Sequence, residues 1–174
     1  GDHAAMQREH DVLQQAQHRF GVDAATIAAV WGVESNFGQR TGSYPIVESL
    51  LTLSCMGRRQ DFFRGELFAA LRIIEAGDFA PQDFKGSWAG AFGQTQFMPS
   101  TFERLAVDLN GDGHRNLIND NADALGSTAN FLKRAGWNPD LPWGLEVKPL
   151  SPLPERMGRR AKRPTREWAA LGVR

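Results

Sequence analysis

Apolar residues recur at helical spacing through most of the first 135 positions. Met6, Leu13, Ala16 and Phe20 fall near one face of a segment from about 4 to 20, and Gly21 stops it. Asp23 stands where an N-cap belongs, ahead of a predicted helix over 24–36 that Gly38 follows. Ser43-Tyr-Pro45 marks a turn, and Ile46 to Cys55 is a short apolar segment. A longer helix is predicted over about 58–76. It carries Phe63, Leu67, Ala70, Leu71 and Ile74, and Gly77 ends it. Residues 78–99 are loop-like, punctuated by Pro81, Gly86, Gly90, Gly93 and Pro99. Ser100 and Glu103 form a capping-box pattern that opens a short helix. A Gly/Asp/Asn-rich loop spans 108–121. A last helix over about 121–135 presents Leu125, Ala129 and Leu132 before Gly136.

Beyond Trp137 the pattern changes. Six prolines between 139 and 164 stop long helices. Trp143 to Val147 suits a short strand, and Glu167 to Leu171 a single helical turn. The expected division is a helical domain over 1–137 and a Pro-rich basic segment over 138–174, part of a small β-containing subdomain. The fold class is mainly α, with a small irregular or β-containing appendage. At 174 residues the chain has the length of one ordinary domain with such an appendage.

Charge changes this picture only locally. Lys+Arg and Asp+Glu both number 20, which excludes a wholly basic nucleic-acid binder. Residues 148–174 nevertheless carry a net +6, which suits a solvated segment, with a polyanion-binding surface as the alternative. The single cysteine, Cys55, rules out an internal disulfide framework and a thiolate zinc site, and its apolar context predicts a core thiol. No apolar run approaches the roughly 18 residues of a membrane-spanning helix.

Three stretches carry candidate chemistry. Ile27, Val30 and Trp31 continue to Glu34 at i+7, so a carboxyl group falls on the apolar stripe at the last turn of its helix. Desolvation and the negative end of the helix dipole would both favour its protonated form, as a general acid requires. The alternative is a Glu turned outward or paired with Arg40. The second stretch runs from Gly86 to Pro99. It combines small residues with flat rings (Trp88, Phe92, Phe97) and uncharged polar groups (Ser87, Gln94, Gln96), a mixture suited to sugars; a buried Gly-rich turn is the alternative. The third is Asp108-Leu-Asn110-Gly-Asp112-Gly113-His114. It places oxygen ligands at positions 1, 3 and 5 of a calcium loop, Gly at 6 and a backbone carbonyl at 7. Position 12 is Asn119 rather than the usual Glu, with Asp120 and Asp123 just beyond. A metal-free turn rich in Asp and Asn is the alternative.

Taken in order, the motifs resemble the lytic murein transglycosylases of the membrane-bound lytic transglycosylase B family. They are Val30-Trp-Gly-Val-Glu-Ser-Asn-Phe-Gly38, Gly42-Ser-Tyr-Pro45, Arg58-Arg-Gln-Asp-Phe-Phe-Arg-Gly-Glu-Leu67, and Gly86-Ser-Trp-Ala-Gly-Ala-Phe-Gly-Gln-Thr-Gln-Phe-Met-Pro-Ser100. The calcium-loop motif, Asp123-Ala-Leu-Gly-Ser-Thr-Ala-Asn-Phe-Leu132 and Ala135-Gly-Trp137 follow. The resemblance covers about 20–147, and weakly Glu167 to Arg174. It implies a lysozyme-like helical domain and cleavage of the MurNAc-β-1,4-GlcNAc bond of peptidoglycan without water, leaving a 1,6-anhydromuramic acid end. Glu34 would act as acid and then base. Ser87, Gln94, Gln96, Phe97 and Met98 would bind substrate. A structural calcium would sit on Asp108, Asn110, Asp112, His114 and Asp123. The implied setting is the periplasm, as a monomer on glycan strands, with outer-membrane association through an anchor preceding residue 1. No nucleic-acid partner is expected. A water-using muramidase of the same fold and a non-catalytic glycan- or calcium-binding module are the alternatives.

The sequence departs from the pattern at Phe92, where many relatives carry Met, at Asn119, and at Asp123, which sits one residue late. Relatives also continue past the region of Trp168 to Arg174 into a further helical segment that helps build the cleft. This chain is therefore expected to act more weakly than one extended through that segment.

Overall fold

The computed structural model describes residues 2–140, which apart from Asp140 belong to one unit, Gly1–Pro139. The strand expected over 143–147, the helical turn at 167–171 and the basic segment lie outside the described residues.

Six helices and one two-stranded sheet make up the described part: α1 (Asp2–Phe20), α2 (Ala24–Ser35), β1 (Tyr44–Pro45), α3 (Ile46–Cys55), α4 (Gln60–Ala76), β2 (Lys85–Gly86), α5 (Pro99–Leu105) and α6 (Asn121–Arg134). None of these helices is long and apolar enough to cross a membrane. β1 and β2 are antiparallel, with Tyr44 opposite Gly86 and Pro45 opposite Lys85. The expected turn at 43–45 is thus partly strand, and the short apolar segment after it is a full helix.

The core has two parts. One gathers Ile46 and Leu50 of α3, Ala70 and Ile73 of α4, and the rings of Phe79, Phe84, Phe92, Phe97 and Phe102. Phe84 and Phe92 meet edge-on, with ring centroids 4.7 Å apart, the geometry the aromatic quadrupole favours. The other joins Ala16 of α1, Ile27 and Trp31 of α2, and Leu125 and Ala129 of α6. α1 packs on α6 and α2, while α3, α4 and α5 pack in succession.

Local chemistry explains several boundaries. The Asp23 carboxylate accepts the Thr26 N–H at 3.0 Å, so Asp23 is the N-cap of α2 as expected. The capping box at Ser100 and Glu103 does not form. Pro99 already occupies the first turn of α5, and Met98 is the cap residue without a side-chain bond. Ser100 instead gives both its N–H (2.8 Å) and its hydroxyl (2.5 Å) to the buried carboxylate of Glu66 on α4. Glu103 binds Arg72 in a two-pronged pair at 2.6 and 2.9 Å, which holds its carboxyl below the usual range. The cap of α5 is therefore supplied by another helix.

Some expected core positions are corrected too. Met6 is 69% exposed, and α1 buries Ala16 with Val12, Leu13 and Phe20 partly covered beside it. On α4 the buried face runs through Glu66, Ala69, Ala70 and Ile73, whereas Leu71 is exposed. Cys55, expected in the core, is exposed at the end of α3.

Candidate active site

α2 ends in an unusual turn. Asn36 and Phe37 both adopt positive φ, at 49° and 57°, which reverses the chain just after Glu34. Three interactions hold this reversal. The Ser35 hydroxyl accepts the Gly38 N–H at 3.0 Å, and the Ser35 carbonyl accepts the Arg40 N–H at 2.7 Å. Phe37 returns against Trp31, with ring centroids 5.4 Å apart and perpendicular planes. Gly38 passes so close to Gln94 that a β-carbon would sit 2.6 Å from the amide oxygen.

Trp31 points the other way, into the core, and its indole N–H donates to Gln94 Oε1 at 2.8 Å. Gln94 in turn donates to Asn121 Oδ1 at 2.9 Å and the Ile118 carbonyl at 3.3 Å. This buried network ties the catalytic-candidate helix α2 to the Gly-rich loop and to α6. A satisfied buried polar network of this kind imposes one arrangement on the elements it joins.

The result is a cleft of about 190 Å³ walled by Val30 and Glu34 of α2, residues 95–98, Thr101 of α5, and Thr128 and Phe131 of α6. Phe97 and Phe131 lie with ring centroids 5.6 Å apart along one wall. Glu34 is the one carboxylate among the described residues lining this cleft. It is exposed, which corrects the burial expected from its place on the apolar stripe. It makes no ion pair with Arg40 or any other described residue.

The predicted substrate-binding residues divide. Gln96, Phe97 and Met98 line the cleft. Gln96 spends both amide hydrogens on the carbonyls of Thr41 and Gly93, at 3.0 and 2.8 Å, so it can offer a ligand only its oxygen. Gln94 is 4% exposed and lies behind the cleft surface, supporting Trp31. Ser87 does not line this cleft. Its hydroxyl accepts the Ala91 N–H at 3.1 Å and closes the turn that leaves Trp88 66% exposed. Sequence reasoning missed Thr101, Thr128 and Phe131, because α5 and α6 join the site only through folding, and it passed over Thr95 inside the Gly-rich stretch itself.

The second site is the 108–123 loop. Carboxylate oxygens of Asp108, Asp112 and Asp123 lie within 4.8 Å of one another. The Asp108 carboxylate accepts the N–H groups of Gly111, Asp112 and Gly113, at 2.8 to 3.2 Å, which winds the loop around it. Gly113, at φ 90°, makes the sharp bend at position 6. Asn110 and Asp112 sit on the same turn, with Asn110 Oδ1 accepting the Asp112 N–H. Asn119 turns away and donates to Asp83. Asp123 takes over the distal position from α6. It is fully buried and accepts N–H groups from Leu109 and Asn116, both at 2.9 Å. Burial lifts its carboxyl to about 6, against those two hydrogen bonds, with Asp120 and Asp108 adding repulsion. Three convergent carboxylates in an all-oxygen setting fit a hard divalent cation such as calcium.

The fold and cleft define a lysozyme-like helical domain with one cleft carboxyl. The transglycosylase SLT domain model matches residues 2–174, and the chain belongs to that family. It is 43% identical over 128 residues to membrane-bound lytic murein transglycosylase B of Escherichia coli K12, covering 73% of this chain and 35% of that protein. SltB3 from Pseudomonas aeruginosa, solved with NAG-anhNAM-pentapeptide, superposes with a TM-score of 0.81 at 41% identity, covering 98% of this chain and 46% of SltB3. Escherichia coli lytic transglycosylase Slt35, solved with calcium, gives 0.84 at 37% identity, covering 97% and 54%. The chain thus spans about a third to a half of the length of these relatives.

Proposed function

We propose that this chain is the catalytic part of a lytic transglycosylase that cleaves the MurNAc-β-1,4-GlcNAc bond of peptidoglycan and leaves a 1,6-anhydromuramic acid end. The observation that carries the reading is the placement of Glu34. It is the one carboxylate among the described cleft residues, in the same cleft as Gln96, Phe97 and Met98.

Glu34 protonates the glycosidic oxygen as C1 departs from it. The muramic acid C6 hydroxyl then attacks C1, and the Glu34 carboxylate accepts its proton. The carboxyl group ends as it began, and no water enters the product. A hydrolase of the usual kind places a second carboxylate either about 5 Å from the first or roughly 6.5–9.5 Å away to activate water. An intramolecular hydroxyl needs positioning more than activation, because its effective concentration is already high. The Gln96 oxygen can accept from a sugar hydroxyl or amide, and Phe97 and Met98 provide apolar surface.

Calcium would be held by Asp108, Asn110, Asp112, the His114 carbonyl and Asp123. Its contribution when bound is structural: it neutralises the three carboxylates and ties α6, which carries Thr128 and Phe131, to the loop before it. The natural setting is the periplasm on glycan strands, with outer-membrane association and a monomeric state carried over from the family resemblance.

Mass spectrometry of digested peptidoglycan tests the reading. The expected product is lighter by one water than the hydrolysis product. A hydrated reducing end would identify a muramidase, and absence of turnover would identify a binding module.

A further inference from the structure

Thr95 stands apart from the other buried polar residues. Its Oγ1 alone, among the buried side-chain nitrogen and oxygen atoms of the described residues, has no hydrogen-bond partner. The residue is 6% exposed, and it lines the same cleft as Glu34. A buried hydroxyl without a partner costs free energy, and folded proteins leave few such groups. The surroundings show that the omission is local. Thr128, the other well-buried hydroxyl of the cleft, donates to the Ala124 carbonyl at 2.9 Å. The two neighbours of Thr95 do not serve it either. Gln94 is committed to Trp31, Ile118 and Asn121, and the amide hydrogens of Gln96 go to Thr41 and Gly93.

We infer that Thr95 is a substrate-recognition residue whose hydroxyl is completed by a polar group of the sugar held beside Glu34. A hydroxyl both donates and accepts, so it suits a pyranose hydroxyl or an acetamido group. The free protein carries the unpaired group, and the bound glycan satisfies it. Sites built this way favour ligands that supply the missing partner, because an analogue lacking it leaves the group unpaired. The inference rests on the reading of the cleft as a glycan site.

The test uses Thr95→Val, which keeps the shape and removes the hydroxyl, beside Thr95→Ser, which keeps the hydroxyl. Three quantities are measured on the full chain: melting temperature, kcat/KM on peptidoglycan, and affinity for a NAG-NAM-peptide fragment in a Glu34→Gln background. Thr95→Val is expected to melt at or above the parent temperature, since it removes an unpaired group. It is also expected to lose about three- to tenfold in kcat/KM and in fragment affinity, the worth of one neutral hydrogen bond. Thr95→Ser is expected to recover most of that loss. A marked fall in melting temperature for Thr95→Val would show that the hydroxyl already has a partner, and would overturn the inference. Unchanged fragment affinity, or a serine variant as impaired as the valine one, would overturn it too. Turnover surviving in Glu34→Gln would instead overturn the functional reading, and the fragment affinities would still decide the role of Thr95.

Discussion

Glu34 is the one carboxylate among the described residues of its cleft, whereas Asp108, Asp112 and Asp123 bring three carboxylates within 4.8 Å of one another. The two regions use the same functional group under opposite conditions. In the cleft, the support for the carboxyl is mechanical. The Asn36–Phe37 reversal, the Trp31–Gln94 bond and the packing of Phe37 on Trp31 hold the end of α2 in place and leave Glu34 uncommitted. In the loop the support is electrostatic and incomplete. Backbone N–H groups stabilise Asp108 and Asp123 individually, yet the cluster as a whole accumulates like charge. A solitary carboxyl can exchange a proton with a substrate. A crowded set calls for a cation. On the proposed reading, the contrast lets one small domain hold an acid and a cation loop, each served by its own surroundings.

The comparison breaks most directly at Glu34. Glu34→Gln keeps shape and polarity but cannot deliver or recover a proton at a useful pKa. Turnover is expected to fall by about 10²-fold or more, with the melting temperature unchanged. Peptidoglycan digestion by a folded Glu34→Gln protein at near-parent rates would remove the catalytic half of the contrast.

The next effect belongs to Asp123. In the folded protein it keeps its proton to about pH 6, against the ordinary 3.8 of an unfolded Asp. Between these values the folded state binds more protons, so stability falls as pH rises from about 4 to about 6 and then levels off. The difference of two pH units corresponds to up to about 3 kcal/mol. Denaturant unfolding of chelator-treated protein across that range measures it, and Asp123→Asn should flatten the profile.

Calcium should offset part of that loss. A cation bound only by the folded state adds about 0.4 to 1.4 kcal/mol when its concentration is one to ten times its dissociation constant. The missing acidic residue at loop position 12 suggests binding in the range of about 10⁻⁴–10⁻³ M. Calorimetric melting with and without millimolar calcium is therefore expected to show a rise, and Asp123→Asn or Asp108→Ala to abolish it. An unchanged parent melting temperature would leave the loop as a plain turn.

The smallest effect sharpens the ligand set. Asn110→Ala should weaken the calcium response measurably, because it deletes an oxygen at loop position 3. His114→Ala should change it less than about twofold, since only the His114 carbonyl is assigned to the ion.

Much of this was legible along the chain, and some of it was not. Helical periodicity located the four longer helices that carry most of the scaffold, and Asp23 announced the start of α2. The loop motif from Asp108 to His114 predicted its own turn, because its bonds run between residues two to five positions apart. The errors share one cause. Ser100 and Glu103 satisfy the pattern of a capping box, but Glu66, 34 positions before Ser100, and Arg72, 31 before Glu103, claim them instead. Gln94 looked like a sugar ligand by composition, and Trp31, 63 residues away, holds it inside.

By itself the sequence determined the family, the four longer helices, and Glu34 and the Asp108–His114 motif as candidates, since these follow from motifs and spacing within a turn or two. The tertiary structure alone decided that Glu34 faces solvent, that Asp123 is buried beside two other carboxylates, and that the Thr95 hydroxyl lacks a partner. Those properties depend on what distant segments bring against each side chain. Burial and hydrogen-bond satisfaction are sums over neighbours in space, and adjacency in the chain does not specify them.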